Sequence, residues 1–241
     1  MPFFKNYPLA EYYFGEEDYK VKFPNLTQYT NIIDAVKLNS SFYTYYNIQR
    51  GDRPDNVSQE LYKTPEYHWT FFLMNDNIRE SGWPLGELEL EAKVNETHPN
   101  TVITTLDEIY SDFLVGSVVT GVESEATGTI IHRNIQLGQL FIEGTMEFTD
   151  GELLICTEDE IEKSITVYGN TTESDAALFY RDPTETYTVD INPFEGPGTN
   201  VKTSYYDHYY DTNESLKQIR VIKPGSIVQV VTEFRKVMSD G

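Results

Sequence analysis

The spacing of apolar positions changes character along this chain. In residues 26–38, LTQYTNIIDAVKL, Tyr29, Ile32, Ile33 and Val36 fall on one helical face, with Asn25 or Thr27 as the N-cap. YTYYNI at 43–48 alternates as a strand does. Gly51-Asp52 then turns the chain, and Pro54 suits the first turn of a helix, where its missing N–H costs nothing. Asp52 or Arg53 precedes it as the cap. Val57 and Leu61 lie i, i+4 on that helix. Thr64-Pro65 repeats the start signal, Trp69, Phe72 and Leu73 line one face of a second helix, and Asn75 can end it. SGWPLGELELEAKVNE reads as a Trp83-Pro84 turn followed by a short acidic helix.

Between 105 and 170 the rhythm shortens. Apolar runs are cut by Gly116, Gly121, Gly128, Gly138, Gly144 and Gly151, and Asp150-Gly151 is a tight-turn signal. Short strands at such spacing predict a small antiparallel β-barrel or sandwich. Residues 171–215 lack periodicity and read as irregular acidic loops or an edge ribbon. LKQIRVI is a strand, and PGSIVQVVTEFRKVM a helix with Ile227, Val231, Phe234 and Met238 on one face. Residues 1–24 are aromatic and punctuated by Pro2, Pro8, Gly15 and Pro24, as suits an extended arm. The expected class is α+β. An aromatic arm and helix (1–43) precede a strand-helix-helix-strand module (44–94). A small all-β domain (105–170), the acidic loops (171–215) and a C-terminal strand and helix (216–241) follow.

Composition refines this picture. Hydrophobic residues make up 39% and aromatic ones 14%, so Tyr and Phe supply much of the buried area. The net charge of −21 is unevenly spread: residues 87–215 hold 26 acids and 5 bases, so the two ends together sum to zero. A middle this acidic repels phosphate backbones, which argues against a nucleic-acid partner. No apolar stretch approaches a membrane span, and MPFFKNYPLAEYYFGEED lacks a leader pattern, so a soluble protein made in the cytoplasm is expected. The lone Cys156, in ELLICT, reads as a small buried hydrophobe.

Catalytic chemistry finds no foothold. His68, His98, His132 and His208 are scattered without metal-ligand spacing, and no run matches a calcium loop. There is no G-x-S-x-G elbow and no Gly-rich phosphate loop before a helix. The second helix, PEYHWTFFLMN, offers no Arg or Lys to read a DNA groove. The expectation is no enzyme, no metal, no cofactor and no membrane partner.

YNIQRGDRPDNVSQELY, with Asn75 beyond it, resembles a LysM repeat in its strand, Gly51-Asp52 turn, Val57, Leu61 and Asn75. LysM modules bind N-acetylglucosamine glycans, so a peptidoglycan-binding protein acting at the bacterial cell wall is the alternative reading. Here RESGWPLGELEL stands where the family's closing Gly-Gln turn and strand belong. The longer pattern GDRPD…S…LYKTPEYHWTFFLMN…GWPL is similar to the LysM-like baseplate wedge protein of contractile-tailed, T-even-type bacteriophages. FFKNYP, NLTQYTNIIDAVKLN, FLVGSVVTGVESEATGTI and NESLKQIRVIKPGSIVQVVTEF also resemble that family. The resemblance implies a structural virion protein, made in the host cytoplasm, that clamps neighbouring wedge copies during baseplate assembly. Its implied partners are other wedge proteins, a sheath-initiator-like subunit and the central hub, with glycan not expected. The residues that define the module or face a partner would be Gly51, Asp52, Arg53, Pro54, Tyr62, Trp69, Trp83 and Pro84.

Overall fold

The computed structural model describes residues 9–13, 20–24, 31–158, 161–184 and 187–240. The chain is α+β, with seven α-helices and several sheets whose named strand pairs are all antiparallel among the described residues. In chain order come β1 (Leu9–Tyr13), β2 (Lys20–Pro24), α1 (Asn31–Leu38), β3 (Tyr43–Asn47), α2 (Pro54–Tyr62), α3 (Trp69–Met74), α4 (Asp76–Ser81) and α5 (Glu87–Thr97). The β-rich part holds β4 (Thr101–Thr104), β5 (Val118–Gly121), β6 (Thr127–Asn134), β7 (Gln139–Ile142), β8 (Leu153–Glu158), β9 (Ile161–Thr166) and β10 (Gly169–Thr172). After it come β11 (Ala177–Arg181), β12 (Thr188–Val189), β13 (Val201–Ser204), α6 (Tyr205–Ser215), β14 (Gln218–Ile222) and α7 (Ile227–Asp240). Two compact units divide the chain: unit 1 is Met1–Gly86 with Asn213–Gly241, and unit 2 is Glu87–Thr212.

In unit 1 the strand that closes the module is not where the sequence pattern puts it. The 44–94 reading ends the module with its own return strand. Instead β3 pairs with β14, Tyr43 opposite Ile222 and Asn47 opposite Gln218. Residues 76–81, which the pattern leaves undivided, form α4, and α5 belongs to unit 2. The chain departs at Leu85 and returns at Asn213, and one side chain ties the two points. The buried Asn213 amide accepts from Leu85 N–H at 2.8 Å and donates to Leu85 C=O at 3.1 Å.

Helix α3 sits between two apolar clusters. Trp69 and Met74 pack with Ile33, Val36, Ile222, Val231 and Phe234. Phe71 packs with Ile48, Val57, Ile78, Ile219 and Val221. That double burial is why the expected Trp69, Phe72, Leu73 face is wrong: Phe71 is fully buried, while Phe72 and Leu73 are only half-buried. On α7 the buried residues are Ile227, Val230, Val231 and Phe234, and the Met238 side chain lies outside the described residues. The arm reading is described only for 9–13 and 20–24, which form the β1–β2 hairpin. The Asn25 or Thr27 cap falls outside the described residues.

In unit 2 seven strands follow the order β10-β4-β7-β6-β5-β8-β9 around one core that includes Ile103, Phe113, Leu140, Leu154 and Ile165. Cys156 is buried in that core. The outermost strands of the order, β9 and β10, are joined by Val167-Tyr168 alone. Val167 N–H bonds Glu152 C=O at 2.9 Å, and Tyr168 N–H bonds Thr104 C=O at 2.8 Å.

The reading of 171–215 as irregular loops is corrected by β11, β12, β13 and the eleven-residue α6. Helix α6 starts on a capping box. Asp207 N–H donates to Ser204 Oγ at 3.0 Å, while Asp207 Oδ2 accepts from Ser204 N–H at 2.9 Å. The S-x-x-D spacing of SYYD carried that signal, and the low helix propensity of its tyrosines masks it.

Candidate functional site

Of the eight residues singled out in the sequence, Gly51, Asp52, Arg53 and Pro54 form the turn between β3 and α2, and Asp52 and Trp83, with Tyr46, tie that turn to its surroundings in unit 1. Gly51 has φ +84°, a backbone that favours glycine, and the chain reverses there. Asp52 is the centre of the turn. Its Oδ2 accepts from Gln49 N–H at 2.8 Å and from the Tyr46 hydroxyl at 2.9 Å. Its backbone carbonyl accepts from the Trp83 indole at 2.7 Å. Burial and the bond to Asp52 push the Tyr46 phenol well above its usual range. Asp52 is therefore no helix cap. Arg53 holds the N-cap position of α2 with no side-chain cap bond, Pro54 stands at the helix start, and the Arg53 Nε reaches Asp55 at 3.2 Å.

Trp83 leans on Phe71 and Phe72, each with ring centroids 6.0 Å away. Its ring and its N–H together close the open side of the Gly51-Asp52 turn, and the half-buried Pro84 continues the chain. Tyr62 stacks on Phe71 and donates its hydroxyl to Ile222 C=O at 2.8 Å. Burial raises its pKa. Trp69 lies apart from the turn, buried against Phe234 with centroids 5.2 Å apart.

Asp52→Ala is expected to lower the stability of unit 1 by about 1–2 kcal/mol, since two donors lose their acceptor, one of them part-buried. Urea unfolding followed by tryptophan fluorescence measures it, and an unchanged midpoint would contradict the role given to the carboxylate.

Sequence reasoning named Asn75 as a helix end and a LysM-matching position but missed that it fastens the helices to β14. Asn75 follows α3, and its side chain behaves as a strand residue would. Its Oδ1 accepts from Arg220 N–H at 2.8 Å, and its Nδ2 donates to Arg220 C=O and Phe71 C=O, each at 2.8 Å. The sequence shows only an Asn after an apolar run; its partner lies 145 positions on.

Among the described residues no group of three or more His, Cys, Asp or Glu could hold a metal ion, and no helix is long and apolar enough to cross a membrane. In unit 2, His98 meets Glu173 at 3.0 Å, and Asn100 donates to the same carboxylate at 2.6 Å, which fastens the end of α5 to the turn at 173–175. A cleft of about 170 Å³ in unit 2 is lined by Gln139, Tyr168, Tyr180 and Lys202, among others. Compared with known proteins, the chain matches no family model and no curated protein.

Proposed function

We propose that the chain is a structural component of a phage tail baseplate wedge, clamping neighbouring wedge subunits during assembly. In this reading unit 1 is a LysM-like module turned from glycan binding to holding proteins. One observation carries it: Trp83 closes the Gly51-Asp52 turn from within, so the residues behind the resemblance serve the module's own packing. The strand-helix-helix-strand course of β3, α2, α3 and β14 supports the LysM-like shape. The same reading takes the seven-stranded sheet of unit 2 as a small closed barrel, with β9 and β10 one bent strand that pairs with β8 on one side and β4 on the other.

Charge supports the division of labour. Unit 1 holds 14 acids and 13 bases, against 25 and 5 in unit 2. A nearly neutral unit suits docking, and a strongly acidic one keeps a solvated surface. The β1–β2 hairpin exposes Leu9, Tyr12, Tyr13 and Phe23, an aromatic surface suited to burial on a partner. On this reading the protein is not an enzyme. Its partners are other wedge proteins, a sheath-initiator-like subunit, the central hub and neighbouring wedge copies, and its place is the virion.

Purified chain mixed with the other wedge proteins is expected to enter a larger complex on a sizing column, and a particle reconstruction to show it between adjacent wedges. A particle map without it would overturn the proposal. Retention on murein sacculi or chitin, with no wedge complex, would favour the peptidoglycan-binding alternative.

A further inference from the structure

The cleft in unit 2 has a built floor. Gln139 is 2% exposed; its Nε2 donates to Ala177 C=O at 3.1 Å. Its Oε1 is buried and has no hydrogen-bond partner among the described residues. Nearly all buried polar atoms are satisfied, so an acceptor left open beside a cleft marks where a donor belongs. The walls are mixed. Tyr168 and Tyr180 contribute aromatic residues with a hydroxyl each, and Leu106 and Pro193 are apolar. Burial, and then the nearby Tyr168, push the Tyr180 hydroxyl up.

The charges at this site oppose each other. Asp175 and Lys202 both line the cleft, and the Lys202 ammonium donates to Asp175 C=O at 2.9 Å. One cation beside one anion gives neither a phosphate nor a metal site. In a unit this acidic the balance is a local exception.

The geometry points to a binding site for a single neutral pyranose ring: hydroxyl donors for Gln139 Oε1, an apolar C–H face for the tyrosine rings, and no net charge. About 170 Å³ is well below the roughly 300–1,000 Å³ of pockets for drug-sized ligands, so the cleft suits one ring rather than a large cofactor. A ring with an apolar face and a hydroxylated edge matches a lining that combines tyrosines and apolar side chains with hydrogen-bonding groups. This inference is independent of the baseplate reading, since it concerns a different unit and different residues.

The test is an NMR titration of the full isotope-labelled chain with D-glucose, D-galactose and N-acetyl-D-glucosamine, beside uridine and glycine. At least one sugar is expected to give saturable shifts around the cleft with a Kd of about 1–10 mM. Tyr168 is 58% exposed, so Tyr168→Ala is expected to leave the fold intact. That variant is expected to weaken binding about fivefold or more with an unchanged melting temperature, by loss of the ring contact. Gln139→Leu, checked for folding by its spectrum, is expected to abolish it. Absence of saturable shifts with every sugar, equal affinity in Tyr168→Ala, or a preference for uridine or glycine would each overturn the site as assigned.

Discussion

Glu152→Ala is expected to destabilise unit 2 by about 3–5 kcal/mol, because four donors lose one buried acceptor. The carboxylate is 1% exposed and sits at the junction of two turns. Oε2 accepts from Glu123 N–H at 2.8 Å and Ser124 N–H at 2.9 Å. Oε1 accepts from the Ser124 hydroxyl at 2.7 Å and Thr149 N–H at 2.6 Å. The turn after β5 is thereby tied to the turn before β8. Gly121 makes the approach possible, since a Cβ there would stand 2.3 Å from Ser124 Oγ and 2.6 Å from the carboxylate.

Burial alone would raise the Glu152 pKa, but the Ser124 and Thr149 N–H groups, the Ser124 hydroxyl and Glu123 N–H outweigh it and hold the group below its usual range. A carboxyl with a lowered folded pKa adds stability above its unfolded value, and that stability is lost as pH falls through the folded one. Unit 2 is therefore expected to weaken below about pH 4, and Glu152→Gln to flatten that acid limb. Thermal melts between neutral pH and pH 3 measure both effects. An Ala variant as stable as the parent would remove the carboxylate from any structural role.

The second large effect falls on unit 1. Asn75→Ala is expected to cost about 2–4 kcal/mol, because Arg220 N–H and C=O both lose a partner at a buried edge. Asn75→Asp separates donor from acceptor. It keeps the acceptor for Arg220 N–H but sets a carboxylate against the carbonyls of Phe71 and Arg220. That variant is expected to melt lower than the parent at pH 7. It should recover partly on acidification, since a carboxyl with a raised folded pKa stabilises only below it. Equal damage at both pH values would mean that volume, not hydrogen bonding, matters at this position.

These two residues show where the sequence stops being legible. Local rules read well: Pro54 opens α2, and Gly51 and Gly151 mark reversals at positive φ. Thr64-Pro65, expected to start the second helix, opens only a 3-10 turn at Pro65–Tyr67, with Thr64 Oγ1 accepting from Glu66 N–H, and α3 starts at Trp69. Each depends on neighbours within a few positions. Asn75 also depends on Arg220, and Glu152 on Glu123 and Ser124, and these distant partners leave no local trace. In the candidate site Gly51, Asp52 and Trp83 were legible as important, but the indole bond from Trp83 to the Asp52 carbonyl was not. The pairing of β3 with β14 was illegible for the same reason: the Gly-Trp-Pro segment reads as a turn before an acidic helix, and the strand that closes the module lies far beyond it.

The distance between β3 and β14 also sets a schedule. A ribosome adds about 5–20 residues each second, so β3 waits roughly ten to thirty seconds for the strand that completes it. All of unit 2 is made in that interval and is free to fold on its own, while the β3 edge stays open to wrong pairings. Nascent chains stalled before Gln218 are expected to lose residues 43–81 to brief proteolysis while 101–172 survive. Chains that extend past Ile222 should resist throughout. The module thus certifies synthesis: only a chain translated through unit 2 can close it.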